Sequence, residues 1–291
     1  MLQRLGFLPV LALGPLLLAA PSAWAQQHRL VYLEDFEVYQ IGSLDKNDGF
    51  GGPNTSDNGV GNPWFGPEFG GPNLVVVNAE GNVNPISGSQ MVRGIAPGDF
   101  DQDWLNIAYR FNGGQPFTEN IILTWWFYDT GGPGNTDYQD YVALAFYDTA
   151  PPDTDAPPNY NLSAGFTQIQ RLSLGATTNT GSDPNYYQAR VVGSPNGYNP
   201  NGWFNTPTPR AVGWHQAAIH VSPVHASGGN RISFYIDDGV NPTLVQDAPP
   251  DFTYGYNVVE MNAAFGSQTA YFDDVALYRG KKHAVARIFG Q

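Results

Sequence analysis

Carboxylates are the residues of this chain with the most obvious chemical use. A retaining glycoside hydrolase needs two of them about 5–5.5 Å apart in one groove, and on a strand that means an even spacing, because successive side chains point to opposite faces. Glu34 and Glu37 are three apart, so an extended strand separates them. Asp99, Asp101 and Asp103 form an i, i+2, i+4 set directly after Pro97-Gly98. Short acids in such a turn-like segment solvate or cap the turn, bind calcium, or catalyse; the first use is the commonest. Asp45-Lys46-Asn47-Asp48-Gly49 sets its acid and glycine one residue too early for a helix-flanked calcium loop. The five histidines make no metal set, since His215 and His220 face opposite ways on a strand and His28, His225 and His283 lie in terminal or turn segments. No G-x-S-x-G, H-E-x-x-H or phosphate-cradling loop is present.

The elements that must position these residues read as strands. With 42% hydrophobic and 14% aromatic residues but only 13% charged, and with 34 Gly and 24 Pro, the chain has core material and many turn formers. That excludes a charge-rich disordered chain and a long coiled coil. Eleven short runs of aromatic and β-branched residues end at Gly, Pro, Asn or Asp: Leu30–Tyr39, Leu74–Val77, Trp104–Phe111, Ile121–Tyr128, Tyr141–Tyr147, Gly165–Leu174, Tyr186–Val192, His215–Val221, Arg231–Ile236, Val258–Phe265 and Tyr271–Tyr278. No amphipathic helix separates them, which predicts an all-β, two-sheet antiparallel β-sandwich of the jelly-roll kind. Long loops at 44–72, 130–139, 149–159 and 195–210 are expected to decorate it.

Alternation assigns the faces. Val142, Leu144 and Phe146 form one core row, Ala217, Ile219 and Val221 another, and Ile232, Phe234 and Ile236 a third. The opposite rows hold Tyr141 and Tyr147 with small residues between them, then His220 and Tyr235, and on the Ile121–Tyr128 run Trp126 and Tyr128. Trp126, Tyr128, Tyr141, Tyr147, His220 and Tyr235 are therefore the expected ligand-contacting set; aromatic faces that stack on sugar rings and aromatics that cover a sandwich face are both consistent with it.

The N-terminus sets Arg4 before an apolar run, Leu5–Ala20, and a small-residue site, Ala23-Trp24-Ala25. Residues 1–25 read as a cleaved secretory signal, 26–279 as one domain and 280–291 as a basic tail. No second stretch is long enough to span a membrane. Removing Arg4 takes the formal net charge from −13 to −14, which disfavours nucleic acid and anionic membranes as partners. Four of the 13 Lys and Arg fall in the last 13 residues, a solvated tail or a docking signal. Zero Cys in an exported chain excludes a disulfide framework and thiolate sites.

Four local signatures carry a resemblance. Glu34-Asp35-Phe36-Glu37 with Gly42 and Ser43, then Gly88-Ser89-Gln90-Met91-Val92, are similar to the opening of extracellular lectin-like domains. Gly213-Trp214-His215-Gln216-Ala217-Ala218-Ile219 followed by Arg231-Ile232-Ser233-Phe234-Tyr235-Ile236-Asp237-Asp238-Gly239 resembles the laminin-G-like hairpin, with one acid more than the motif has. Phe272-Asp273-Asp274-Val275-Ala276-Leu277-Tyr278 looks like the closing strand. Across residues 30–279 the chain thus resembles the concanavalin A-like lectin and glucanase superfamily, although residues 93–212 match no motif.

The resemblance implies a jelly roll that binds carbohydrate on a concave face or edge loops, adjacent first and last strands, and a structural calcium. Glu37 and Asp273 are the expected ligands, Asp273 because its row holds the core-facing Val275 and Leu277; the alternative is that Asp273 only accepts backbone hydrogen bonds. The superfamily's catalytic carboxylate triplet on one strand is absent. The reading is a secreted, extracellular or periplasmic, non-catalytic glycan-binding protein. A polysaccharide hydrolase or lyase, with Arg110, Arg171 and Arg190 available to a cationic groove, and a structural matrix protein are the alternatives.

Overall fold

The computed structural model describes residues 28–39, 41–44, 64–65, 74–94, 106–111, 115–118, 120–135, 139–147, 168–177, 182–193, 203–223, 230–247, 255–264 and 269–290. Residues 1–25, expected to be a secretory signal, and the Asp99, Asp101, Asp103 set lie outside them. Within them the chain forms β1 (His28–Glu34), β2 (Gly42–Ser43), β3 (Trp64–Phe65), β4 (Leu74–Val77), β5 (Met91–Gly94), β6 (Asn106–Arg110), β7 (Ile121–Asp129), β8 (Gln139–Tyr147), β9 (Gln168–Thr177), β10 (Tyr186–Gly193), β11 (Trp203–Pro209), β12 (Gly213–Pro223), β13 (Asn230–Ile236), β14 (Leu244–Asp247), β15 (Val258–Ala264), β16 (Tyr271–Gly280) and one helix, α1 (His283–Phe289).

The strands make two sheets. Sheet A runs β14-β13-β12-β7-β16-β5-β4-β2, and β1 pairs with the C-terminal half of β16, beside β5. Sheet B runs β11-β10-β9-β8-β15-β6-β3. Every pairing between these strands is antiparallel, so the expected two-sheet antiparallel β-sandwich is the fold.

Alternation packs the sheets together. Leu123, Trp125 and Phe127 of β7, Ala217, Ile219 and Val221 of β12 and Ile232, Phe234 and Ile236 of β13 meet Val142 and Leu144 of β8, Leu172 and Leu174 of β9 and Val259 and Met261 of β15 in one core. Each fully buried large aliphatic or Phe side chain there contributes about 1.5–3 kcal/mol relative to exposure.

Three expectations are corrected. The segment 195–210, read as a loop, contains β11; it is an edge strand of sheet B, where the missing amides of Pro207 and Pro209 break no central ladder. Between Asp273 and Ala276 the register of β16 against β7 slips by one residue at Asp274, whose φ is +48°. This bulge changes the phase of the strand, so Phe272 joins Val275 and Leu277 in the core and Asp273 does not share their row. Residues 280–291, read as a tail, hold α1, which lays Ala284, Val285 and Ile288 on Ile122, Ala218 and Tyr235 of the outer face of sheet A. The approach is close: a Cβ on Gly239 would lie 2.7 Å from the Cβ of Phe289.

Candidate functional site

Strand β7 has two faces. Its odd positions enter the core, which leaves Ile122, Thr124, Trp126 and Tyr128 outward. The register sets Trp126 beside Gln216 and Asp273, and Tyr128 beside Trp214 and Tyr271; Tyr271 in turn pairs with Arg93. One row therefore crosses four strands, in the order Trp214, Tyr128, Tyr271, Arg93, with Trp126 and Gln216 in the next. Tyr128 meets Trp214 edge to face at 5.5 Å between ring centroids and Tyr271 at 6.1 Å.

Polar contacts fix the ends of this band. Trp214 Nε1 donates to the Asn84 carbonyl at 2.9 Å. Arg93 pairs with Glu80 at 2.9 Å, and the Tyr271 hydroxyl donates to the same carboxylate at 3.3 Å. Burial, followed by the Glu80 charge, raises the pKa of Tyr271, so it stays a neutral phenol. Trp126, Tyr128, Trp214, Gln216 and Arg93 are half-buried. Such rings offer apolar area while their polar edges remain wet, the combination that a sugar ring with one C–H face and peripheral hydroxyls can use.

The six residues of the expected ligand-contacting set are not together. Trp126 and Tyr128 belong to the band. His220 and Tyr235 share that sheet face but are only 2% and 0% exposed beneath α1. Tyr141 lies on the far side of the sandwich, where it packs with Ala143 and Trp203; Tyr147 is in β8. Trp214, Tyr271, Gln216 and Arg93 are the members that sequence reasoning missed. They come from three other strands, and only cross-strand register aligns them.

The acids near the chain ends have a different use from the one expected. Glu37 accepts the amides of Ser89 and Gln90, both at 2.7 Å, and the Ser89 hydroxyl at 2.9 Å. Although burial opposes it, these donors hold its pKa below the usual carboxylate value. The turn needs Gly88, since φ is +58° and a Cβ would lie 2.3 Å from Glu37 Oε1. Asp273 is fully buried and accepts Ile86 and Ser87 amides through Oδ2 and the Asp274 amide through Oδ1. Burial, then the neighbouring Asp274, push its pKa up to about 7. Glu34 receives the Phe36 amide and the hydroxyls of Tyr32 and Tyr39.

The N–H donors present their positive ends to these oxygens and occupy their lone pairs, whereas calcium asks for six to eight oxygens with lone pairs turned toward it. Glu37 and Asp273 grip different residues of the 86–90 turn. They do not fit a calcium pair, and no group of three or more His, Asp or Glu among the described residues is placed to hold a metal.

Sheet B carries a second, ionic outer face. Arg171 pairs with Glu260 at 2.7 Å, both about 1% exposed or less, and donates to the Tyr141 hydroxyl at 3.0 Å, with its guanidinium 4.9 Å from that ring centre. Arg190 lies over Trp203 at 5.4 Å. Glu260 and Arg171 sit on opposite sides of β8, next to Ala143 and Ala145. The small residues noted between the tyrosines of β8 thus let the ion pair close across the strand.

No protein-family model matches the sequence, and no curated protein matches it. Solved structures similar to the chain include the globular domain of T. cruzi calreticulin, with a TM-score of 0.47 and 10% identity over 89% of this chain and 92% of that one. The chain spans less than half of the botulinum neurotoxin serotype G binding domain: TM-score 0.41, 10% identity, 74% of this chain and 44% of that one. The exoplasmic/lumenal domain of VIP36 in its Ca2+/Man3GlcNAc-bound form is similar at a TM-score of 0.37 and 15% identity, covering 72% of this chain and 84% of that one. Among the described residues no helix is long and apolar enough to cross a membrane.

Proposed function

We propose that this chain is an exported, non-catalytic carbohydrate-binding protein whose glycan lies along the aromatic band of sheet A. The observation that carries this reading is the cross-strand row of Trp214, Tyr128 and Tyr271 with half-buried Trp126 beside it. Sugar rings stack on Trp126 and Tyr128, and Gln216, Arg93 and Glu80 supply hydrogen bonds to hydroxyls at the edges. The lectin-like motifs of the sequence agree with this use. This reading assigns no calcium to Glu37 and Asp273, because both carboxylates are engaged by amides.

A glycan array on the mature protein, followed by calorimetry with the best oligosaccharide, tests the reading. Trp126→Ala is expected to weaken binding at least about tenfold, the equivalent of ~1.4 kcal/mol, with the melting temperature little changed because the side chain is half-buried. Absence of any glycan binding, or wild-type affinity in Trp126→Ala and Tyr128→Ala, would refute it.

A further inference from the structure

The cations of this acidic chain are unevenly placed. Among the described residues, Arg93, Arg171 and Arg210 are each paired with a carboxylate, of Glu80, Glu260 and Asp129 respectively, and Arg190 is buried on Trp203. Apart from Arg231 of β13 and Arg287 of α1, the exposed Lys and Arg gather where β1 begins and β16 ends. Arg29 and Arg279 are direct cross-strand partners and both are exposed. Partners in an antiparallel rung lie about 5 Å apart, and like charges opposed in this way are unfavourable.

The chain nevertheless adds to them. Lys281, Lys282 and His283 follow within four residues of Arg279, all exposed. Two features hold the cluster in place. The Arg279 guanidinium lies over the Phe117 ring at 5.0 Å, and α1, anchored through Ala284, Val285 and Ile288, fixes the backbone that carries Lys281 and Lys282.

A concentrated positive pole on a chain of formal net charge −13 orients any anionic partner, because at physiological salt charges more than about 8–10 Å away are largely screened. We propose that this end of sheet A docks a polyanionic polysaccharide, whose sulfate or carboxylate groups lie across Arg29, Arg279, Lys281 and Lys282 while the acidic remainder of the molecule faces away. A polysaccharide fits better than a bilayer, since α1 keeps its apolar side on the sheet and has no wedge to insert. The surface is separate from the aromatic band and does not depend on it.

Heparin is the probe. The full mature chain is applied to immobilised heparin, and its affinity is measured at rising salt near neutral pH. About four cations should make binding about a hundredfold weaker at roughly 200 mM than at roughly 50 mM NaCl, the counterion-release slope for that number of contacts. The triple variant Arg29→Gln, Lys281→Gln, Lys282→Gln, shown to be folded by circular dichroism and melting, is expected to lose most of that slope. Trp126→Ala should bind heparin like wild type, which separates this surface from the glycan band. Flow-through at low salt, a triple variant equal to wild type, or binding confined to phosphatidylglycerol vesicles would overturn the proposal.

Discussion

His215 is held by two acceptors. Its Nδ1 lies 2.6 Å from Asp237 Oδ2 and its Nε2 2.8 Å from the Ala211 carbonyl, so both nitrogens are satisfied only when both carry protons. Asp237 is itself fixed, at φ +56° with its Oδ1 accepting the Gln216 amide at 2.9 Å. Although burial opposes it, the Asp237 bond and charge, the Ala211 carbonyl and the Asp129 charge raise the pKa of His215. A histidine whose folded pKa lies above its unfolded value stabilises the protein fully below about 6.5, and that contribution is lost as pH rises through the folded value. The urea midpoint is therefore expected to fall as pH rises above about 6.5, and to fall less steeply in Asp237→Asn. Parallel slopes in the two proteins would mean that the imidazole is neutral in the folded state.

At the scale of elements, α1 is where a short segment decides what a face can do. It covers His220 and Tyr235, which removes them from any ligand and buries a histidine. Burial first, and then the positive charges of Lys282 and His283, depress the pKa of His220 to about 4. The sign is opposite to that of His215: this stability is present above about 6.5 and lost as pH falls toward about 4. Ile288→Ala, which shortens the side chain that α1 seats on sheet A, is expected to cost about 2 kcal/mol, the low end of core truncations because a terminal helix can relax. His220→Leu should flatten the acid side of the stability profile, and a denaturant series across pH measures both effects.

The same element shows what sequence could reveal. Most strands announced themselves by β-branched and aromatic runs, and rows such as Ala217, Ile219 and Val221 pointed where alternation sends them. Helix α1 was hidden because seven residues carry little periodicity and its flanking lysines resemble a solvated tail. Prolines concealed β11, and one extra residue at Asp274 reversed the phase that had placed Asp273 in the core row. For the candidate site, Trp126 and Tyr128 were legible from alternation within one strand. Trp214 and Tyr271 were not, since no local pattern fixes which strands become neighbours.

For the molecule as a whole, the two outer faces differ while the core between them is shared. Sheet A carries rings and a helix; sheet B carries a buried ion pair in the middle of its face. Arg171 and Glu260 come from strands on either side of β8, so their bond ties β9 to β15 over a strand whose other face lies in the common core. Removing one partner from such a pair leaves the other charge in low dielectric, which costs about 3–5 kcal/mol, whereas replacing both by apolar groups of similar volume costs little or nothing. Glu260→Gln is accordingly expected to lower stability by about 3 kcal/mol or more, and Arg171→Met with Glu260→Leu to recover most of it. Because the core that crosses both sheets is continuous, the loss should appear in one cooperative transition, with tryptophan fluorescence and far-ultraviolet circular dichroism moving together in urea. A nearly neutral Glu260→Gln would show that water reaches the pair, and separate transitions would show that the sheets do not unfold as one body.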